Sequence, residues 1–135
     1  MRTFPPRKRH TRYLLTILSG AIGGFCVSAT LLAEPLPDPL AAGWRGVPVC
    51  ERLHAAENLR VLRCTFPPGV GHERHFHPPH FGYAVSGGVM QVTDEDGVRT
   101  VEITPGSYFT SDGIAWHEAL NVGDTTVQYL MIEPQ

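Results

Sequence analysis

From Val47 to the C-terminus, apolar and β-branched residues come in short runs that end at Gly, Pro, Asn or Asp, the punctuation of strands joined by tight turns. The pattern predicts strands at Val47–Leu53, Leu59–Phe66, Phe81–Ser86, Val89–Thr93, Val98–Ile103, Tyr108–Ser111, Ala115–Leu120 and Thr126–Ile132. No window keeps a helical apolar period for three turns. Asp96-Gly97, between Met90–Thr93 and Val98–Val101, is the strongest hairpin signal in the chain. Cys50 and Cys64 are centred on residue 57, with Ala55-Ala56-Glu57-Asn58 as the expected turn, so they face each other across a hairpin as a disulfide or as two packed thiols. About eight short strands must manage their edges, and closure into a small antiparallel barrel or jelly-roll-like sandwich does so. The expected fold class is therefore all-β.

The first 33 residues break this pattern. A basic stretch ending at Arg12 leads into an uncharged, mostly apolar run from Tyr13 to Ala33, followed by Glu34-Pro35-Leu36-Pro37. That order is a secretory signal, with small-residue exits after Ala29 and Ala33. The run is also long enough to span a bilayer, so the alternative is a membrane anchor over residues 13–33. The expected location is periplasmic or secreted, or membrane-anchored if the segment is uncleaved. Residues 34–46 hold three prolines and two glycines and read as a linker or extended arm, which leaves 47–135 as the folded domain.

Charge sharpens the division. Residues 1–33 carry five of the eleven basic side chains and no acid, so the remainder sets six arginines, with no lysine, against thirteen acids, a net of −7. Such a domain is a poor counterion for phosphate, which argues against nucleic-acid binding by charge neutralisation. The length suits one domain, and an apolar content of 42% argues against disorder.

The candidate chemistry is histidine. Four of the seven histidines, His72, His75, His77 and His80, fall within residues 72–80. In a strand, residues two apart share a face, so His75 and His77 can aim both imidazoles at one point, and His117 is the candidate third ligand. Strand parity places His72 on the opposite, exposed side. Glu73 shares the parity of His75 and His77 and is a candidate base, although a solvated carboxylate beside Arg74 is the plainer reading. Asp94-Glu95-Asp96-Gly97 begins like a calcium loop, but the later ligands are missing and a turn accounts for it.

Gly69 to Gly87 resembles the first motif of the cupin superfamily, G-x5-H-x-H-x3,4-E-x6-G, at Gly69, His75, His77 and Gly87. Pro105 to Asn121 resembles the second, G-x5-P-x-G-x2-H-x3-N, at Gly106, His117 and Asn121, with Asp112 in place of the proline and Gly113 one position early. The resemblance is to small single-domain cupins and implies a double-stranded β-helix barrel. It also implies a divalent transition metal (Fe, Mn, Ni, Zn or Cu) held by His75, His77 and His117. His80 stands where the family has glutamate, as a fourth ligand or as a hydrogen-bonding neighbour of the metal site. A ligand set of neutral imidazoles leaves the full charge on the metal and favours an anionic chelating ligand.

Two functions fit the resemblance: a metal-dependent dioxygenase acting on a small chelating organic substrate, and a non-catalytic cupin binding a metal or small ligand. Parity adds a surface expectation. If His80 and His117 point inward, then Gly82 and Ala84 point inward and leave room beside the metal. Phe81, Tyr83, Val85, Trp116 and Leu120 then face out together, to be covered by the arm with Trp44 or by a second subunit in a homodimer. A bulge at Pro78-Pro79 would upset that parity.

Overall fold

The computed structural model describes residues 34–135; the expected signal or anchor over residues 1–33 lies outside the described residues. Every regular element among the described residues is a strand, in the order β1 (Gly43–Trp44), β2 (Val47–Pro48), β3 (Cys50–Ala56), β4 (Leu59–Phe66), β5 (Gly71–His77), β6 (His80–Ser86), β7 (Gly88–Asp94), β8 (Gly97–Ile103), β9 (Tyr108–Ser111), β10 (Ile114–Asn121) and β11 (Val127–Pro134). A four-stranded sheet runs β5-β10-β7-β8, a five-stranded sheet runs β3-β4-β11-β6-β9, and β1 and β2 form a small ribbon. All pairs are antiparallel. The expected all-β barrel is what forms.

The core follows from period-two burial. On β4, Leu62, Cys64 and Phe66 are buried, and on the paired β11, Val127, Met131 and Glu133 are. With Val49, Cys50 and Met90 the apolar members make one core. Cys50 and Cys64 are register partners and form a disulfide, their Cα atoms 4.0 Å apart. The chain turns between them at Glu57-Asn58, inside the expected span. The β7–β8 hairpin is also present, but Asp94 pairs with Gly97, so the two loop residues are Glu95 and Asp96. Gly97 follows them at φ 109°, the left-handed position that a glycine bulge needs.

Two elements were not marked by the hydrophobic pattern. One is β5, whose sequence Gly-His-Glu-Arg-His-Phe-His carries histidine where an ordinary strand carries aliphatics. The other is the small ribbon at residues 43–48, which falls partly in the Pro-rich arm. That arm packs on the domain. Pro39 and Ala42 are buried, and the Pro37 carbonyl accepts a hydrogen bond from the Phe76 amide at 3.1 Å.

The outward aromatic face also differs from expectation. Phe81, Tyr83 and Val85 lie on β6, whereas Trp116 and Leu120 lie on β10 in the other sheet, so the five residues do not form one surface. Tyr108 of β9 stacks on Phe81 at 5.7 Å. Trp116 is covered by the Arg74 guanidinium, 3.7 Å from its ring centroid. Trp44 lies against the backbone at Gly71, so it does not cover the β6 face.

Candidate metal centre

β5 and β10 pair with two irregularities, and these aim the histidines. His77 pairs with Ile114 and His75 with His117, a spacing of two residues on β5 against three on β10. His72 then pairs with Ala119, a spacing of three on β5 against two on β10. Each extra residue reverses parity beyond it. The first lets His117 turn inward beside Ile114. The second turns His72 inward as well, so His72 is 2% exposed, contrary to the parity expectation, and its ring lies 3.7 Å from that of His75. The same bulge carries Glu73 outside, where it accepts a hydrogen bond from the Arg45 amide at 2.8 Å. It is not a base at this site. These irregularities lie within β10 and β5, whereas Pro78-Pro79, where the proline pair suggested a bulge, falls between β5 and β6.

His75, His77 and His117 converge, with one ligand nitrogen from each within 4.8 Å of the others. The Nε2 atoms of His75 and His77 are 2.9 Å apart, and those of His117 and His75 are 3.0 Å apart. Nitrogens bound at right angles to a common ion at the usual length of about 2.0–2.1 Å would lie about 3 Å apart. The tautomers agree with such a role. His75 donates its Nδ1 proton to the Glu73 carbonyl at 2.7 Å, and His77 donates Nδ1 to Glu133 at 3.3 Å, so each presents a bare Nε2 lone pair to the centre. Two lone pairs held that close repel unless a cation lies between them. The donor set therefore fits a divalent transition metal.

His80 adjoins this group. Its Nδ1 donates to the Pro78 carbonyl at 2.9 Å, and its ring lies 4.8 Å from that of His77. Its Nε2 is buried with no hydrogen-bond partner. His80 is not one of the three histidines whose ligand nitrogens lie within 4.8 Å of one another, but a buried nitrogen without a partner costs stability and leaves it a candidate fourth donor.

His72, His75, His80 and His117 are held neutral. Burial, reinforced by neighbouring histidines, lowers His75 to about 2, and it lowers His117 to about 3 and His72 to about 4. Burial is also the main cause of the lowered His80. Neutral imidazoles are the form that binds metal.

Glu133 is the functional residue that the spacing of histidines did not reveal. It is wholly buried, accepting from His77 on one oxygen and from the Arg60 Nε on the other. Burial works to raise its pKa, but the hydrogen bonds from His77 and Arg60 outweigh it and the carboxyl stays below the usual range. One signal was available in sequence: Glu133 shares the inward parity of Val127 and Met131, where an acid needs a partner. Asn121, matched to the end of the second motif, is structural. Its amide donates to the Phe66 and Thr125 carbonyls at 2.7 Å each and its oxygen accepts from the Gly123 amide.

His77 and His117 also line a cavity of about 470 Å³ whose other walls include Phe66, Met90, Val92, Val101 and Met131. Arg99 and Glu102 contribute to its lining from β8, Arg99 held by Asp94 at 2.6 Å. Gly82 and Ala84 point inward as expected, but Gly82 does not leave room: a Cβ there would stand 2.3 Å from the Phe109 ring, which packs over it. Phe109 meets His80 edge-on at 5.6 Å and Tyr129 at 6.2 Å, so aromatic groups frame the cavity. Burial raises the Tyr129 hydroxyl to about 12, which keeps it a neutral hydrogen-bond donor.

The model of the cupin domain family matches residues 62–133, which contain all four candidate histidines. No curated protein matches the chain. Among solved structures, a cupin domain from Bordetella pertussis superposes with a TM-score of 0.61 at 23% identity, over 64% of this chain and 92% of that one. The polyketide cyclase RemF from Streptomyces resistomycificus gives 0.53 at 22% identity over 63% of each chain, so the match spans less than two thirds of the cyclase. At these identities the likeness is one of fold.

Proposed function

The chain belongs to the cupin domain family, and on that premise we propose that it is an exported metal-binding cupin acting as a dioxygenase-type oxidoreductase on a small chelating organic substrate. The observation that carries the reading is the convergence of the His75, His77 and His117 Nε2 atoms at a site that opens on an apolar cavity. A divalent metal held there would supply Lewis acidity and, if redox-active, the capacity to react with oxygen.

The chain's own residues bind and orient. His75, His77 and His117 would hold the metal, and His80, at the start of β6 in the other sheet, would supply a fourth nitrogen. With four neutral ligands the site keeps its positive charge, which favours a substrate that chelates through anionic oxygens, such as an enolised diketone or a catechol. The cavity walls take its apolar body and exclude water, and the Tyr129 hydroxyl is available to donate to a substrate oxygen. Oxygen chemistry is favoured over hydrolysis or epimerisation because the buried acid, Glu133, is engaged by His77 and Arg60 and is not free to move protons on a substrate.

Export is supported by the order of basic, apolar and polar segments over residues 1–37 and by the Cys50–Cys64 disulfide, a bond that persists in oxidising compartments. Mass spectrometry of the isolated protein should find an N-terminus between about Thr30 and Glu34; a full-length chain in the cytosol overturns export. The activity is tested by oxygen uptake of the ferrous protein with a panel of diketones and catechols. Uptake that the His77→Ala variant lacks is the expected result. Binding of those probes without uptake would make the protein a non-catalytic ligand-binding cupin instead.

A further inference from the structure

The strand that carries His75 and His77 is at the edge of its sheet, and the Pro-rich arm lies along that edge. Pro37 accepts from the Phe76 amide, between the two histidines, at 3.1 Å. Pro39, itself fully buried, offers its carbonyl to the His72 Nε2 at 3.1 Å, and His72 in turn lies against His75. The Arg45 amide donates to Glu73, whose carbonyl fixes the His75 tautomer.

A second route runs through charge. Asp38 accepts from the Arg60 Nη1 at 2.7 Å, the same guanidinium donates through Nε to Glu133, and Glu133 holds the His77 Nδ1. The Asp38 carboxylate is fixed from its own side by the Leu40 and Ala41 amides at 3.1 and 2.9 Å. The arm thus reaches His75 through Pro39 and Arg45, by way of His72 and Glu73, and His77 through Asp38, by way of a chain of paired charges.

We propose that residues 37–45 are a positioning element of the metal centre, with Asp38 acting through Arg60 and Glu133 on His77, so that docking of the arm and binding of metal strengthen each other. The inference rests on the metal-site reading above. Its consequence is reciprocal, because coupling between two binding events acts equally in both directions. The arm is also the segment that joins the barrel to the expected signal or anchor, so anything that pulls it from the β5 edge would loosen the metal.

The test uses the purified protein and the Asp38→Asn variant, whose side chain can still cap its own turn but no longer pairs a charge with Arg60. Zinc affinity is measured by chelator competition, ligand geometry by the visible spectrum of the cobalt form, and arm docking by hydrogen exchange at the Phe76 amide with and without zinc. The expected result is an affinity roughly tenfold weaker, the lower end of what loss of an outer partner causes. With it should come an altered cobalt spectrum in the variant and slower exchange at Phe76 when zinc is bound to the wild type. A role confined to fold stability would lower the melting temperature of both zinc-free and zinc-bound protein and leave the cobalt spectrum unchanged, which overturns the proposal. Unchanged affinity in the variant overturns it too. Failure of the wild type to bind zinc or cobalt overturns the metal-site reading itself, and the proposal with it.

Discussion

The His77 imidazole and the Glu133 carboxylate meet at 3.3 Å across the two sheets, joining the strand that carries two of the three convergent histidines to the last strand of the chain. Glu133 is wholly buried, and its second oxygen takes the Arg60 Nε. Replacing Glu133 with Ala removes one of the two carboxylates that pair with the part-buried Arg60 guanidinium, leaving it Asp38 alone, and frees the His77 ring. Urea unfolding should show a loss of about 1–3 kcal/mol, the scale of a buried hydrogen-bonding group left unsatisfied. The milder Glu133→Gln should fold and lower metal affinity about 10–100-fold in chelator competition, as loss of an outer partner does elsewhere. Affinity unchanged in Glu133→Gln would remove Glu133 from the site.

His80 has one nitrogen tied to Pro78 and the other buried without a partner beside His77. As a fourth ligand, its replacement by Ala should weaken metal binding at least roughly tenfold, a scale that even outer partners reach. The cobalt spectrum should shift as well. A variant with wild-type affinity and spectrum would place His80 outside the ligand set.

Acid should destabilise the metal-free protein through its buried histidines. His72, His75 and His117 are lowered to about 4, 2 and 3 in the folded chain, whereas each returns to about 6.5 on unfolding. As pH falls below about 6.5 the unfolded chain takes up protons that the folded chain refuses, and stability falls with it. Each histidine contributes a slope of about 1.4 kcal/mol per pH unit until its folded value is reached. The melting temperature in the presence of a chelator should therefore drop steadily from pH 7 to pH 5, and a flat profile would show that these imidazoles are not buried neutral.

The outer face of β6 presents half-exposed Tyr83 and Val85 beside Phe81, with Tyr108 stacked over Phe81. We expect a second copy of the chain to cover this face, since contiguous exposed aromatics mark association sites. Light scattering at about 50 μM, a concentration at which a dimer held by roughly −6 kcal/mol or better predominates, should report a dimer for the wild type. Tyr83→Glu should give a monomer that retains its metal, because Tyr83 lies on the opposite side of β6 from His80. A monomeric wild type would show that the face stands alone.

Much of the fold was legible because apolar alternation and turn residues act locally. Leu62, Cys64 and Phe66 fell on one face as their spacing required, and Cys50 met Cys64 because a hairpin fixes its own register. The metal triad was legible for a different reason: His75 and His77 are spaced as one strand face, and His117 was located by motif. His72 and Glu73 were misplaced together, since one extra residue in β5 between His72 and His75 exchanges their faces, and the sequence of a bulge differs little from that of a strand. The contacts of the arm were not legible because prolines and glycines signal the absence of regular structure and say nothing of what the segment touches. What docks it is a set of backbone carbonyls and one aspartate, Asp38, whose partner Arg60 is distant in sequence.

The central claim is that three imidazoles form one metal site. Elemental analysis of the purified protein after dialysis, with the His75→Ala, His77→Ala and His117→Ala variants carried through the same procedure, tests it most directly. The account predicts about one divalent transition metal per chain in the wild type, as for a single mononuclear site. Each variant should fold with the same far-ultraviolet circular dichroism and retain less than about a tenth of that metal. Equal metal content in the wild type and all three variants, or none in any, would contradict it.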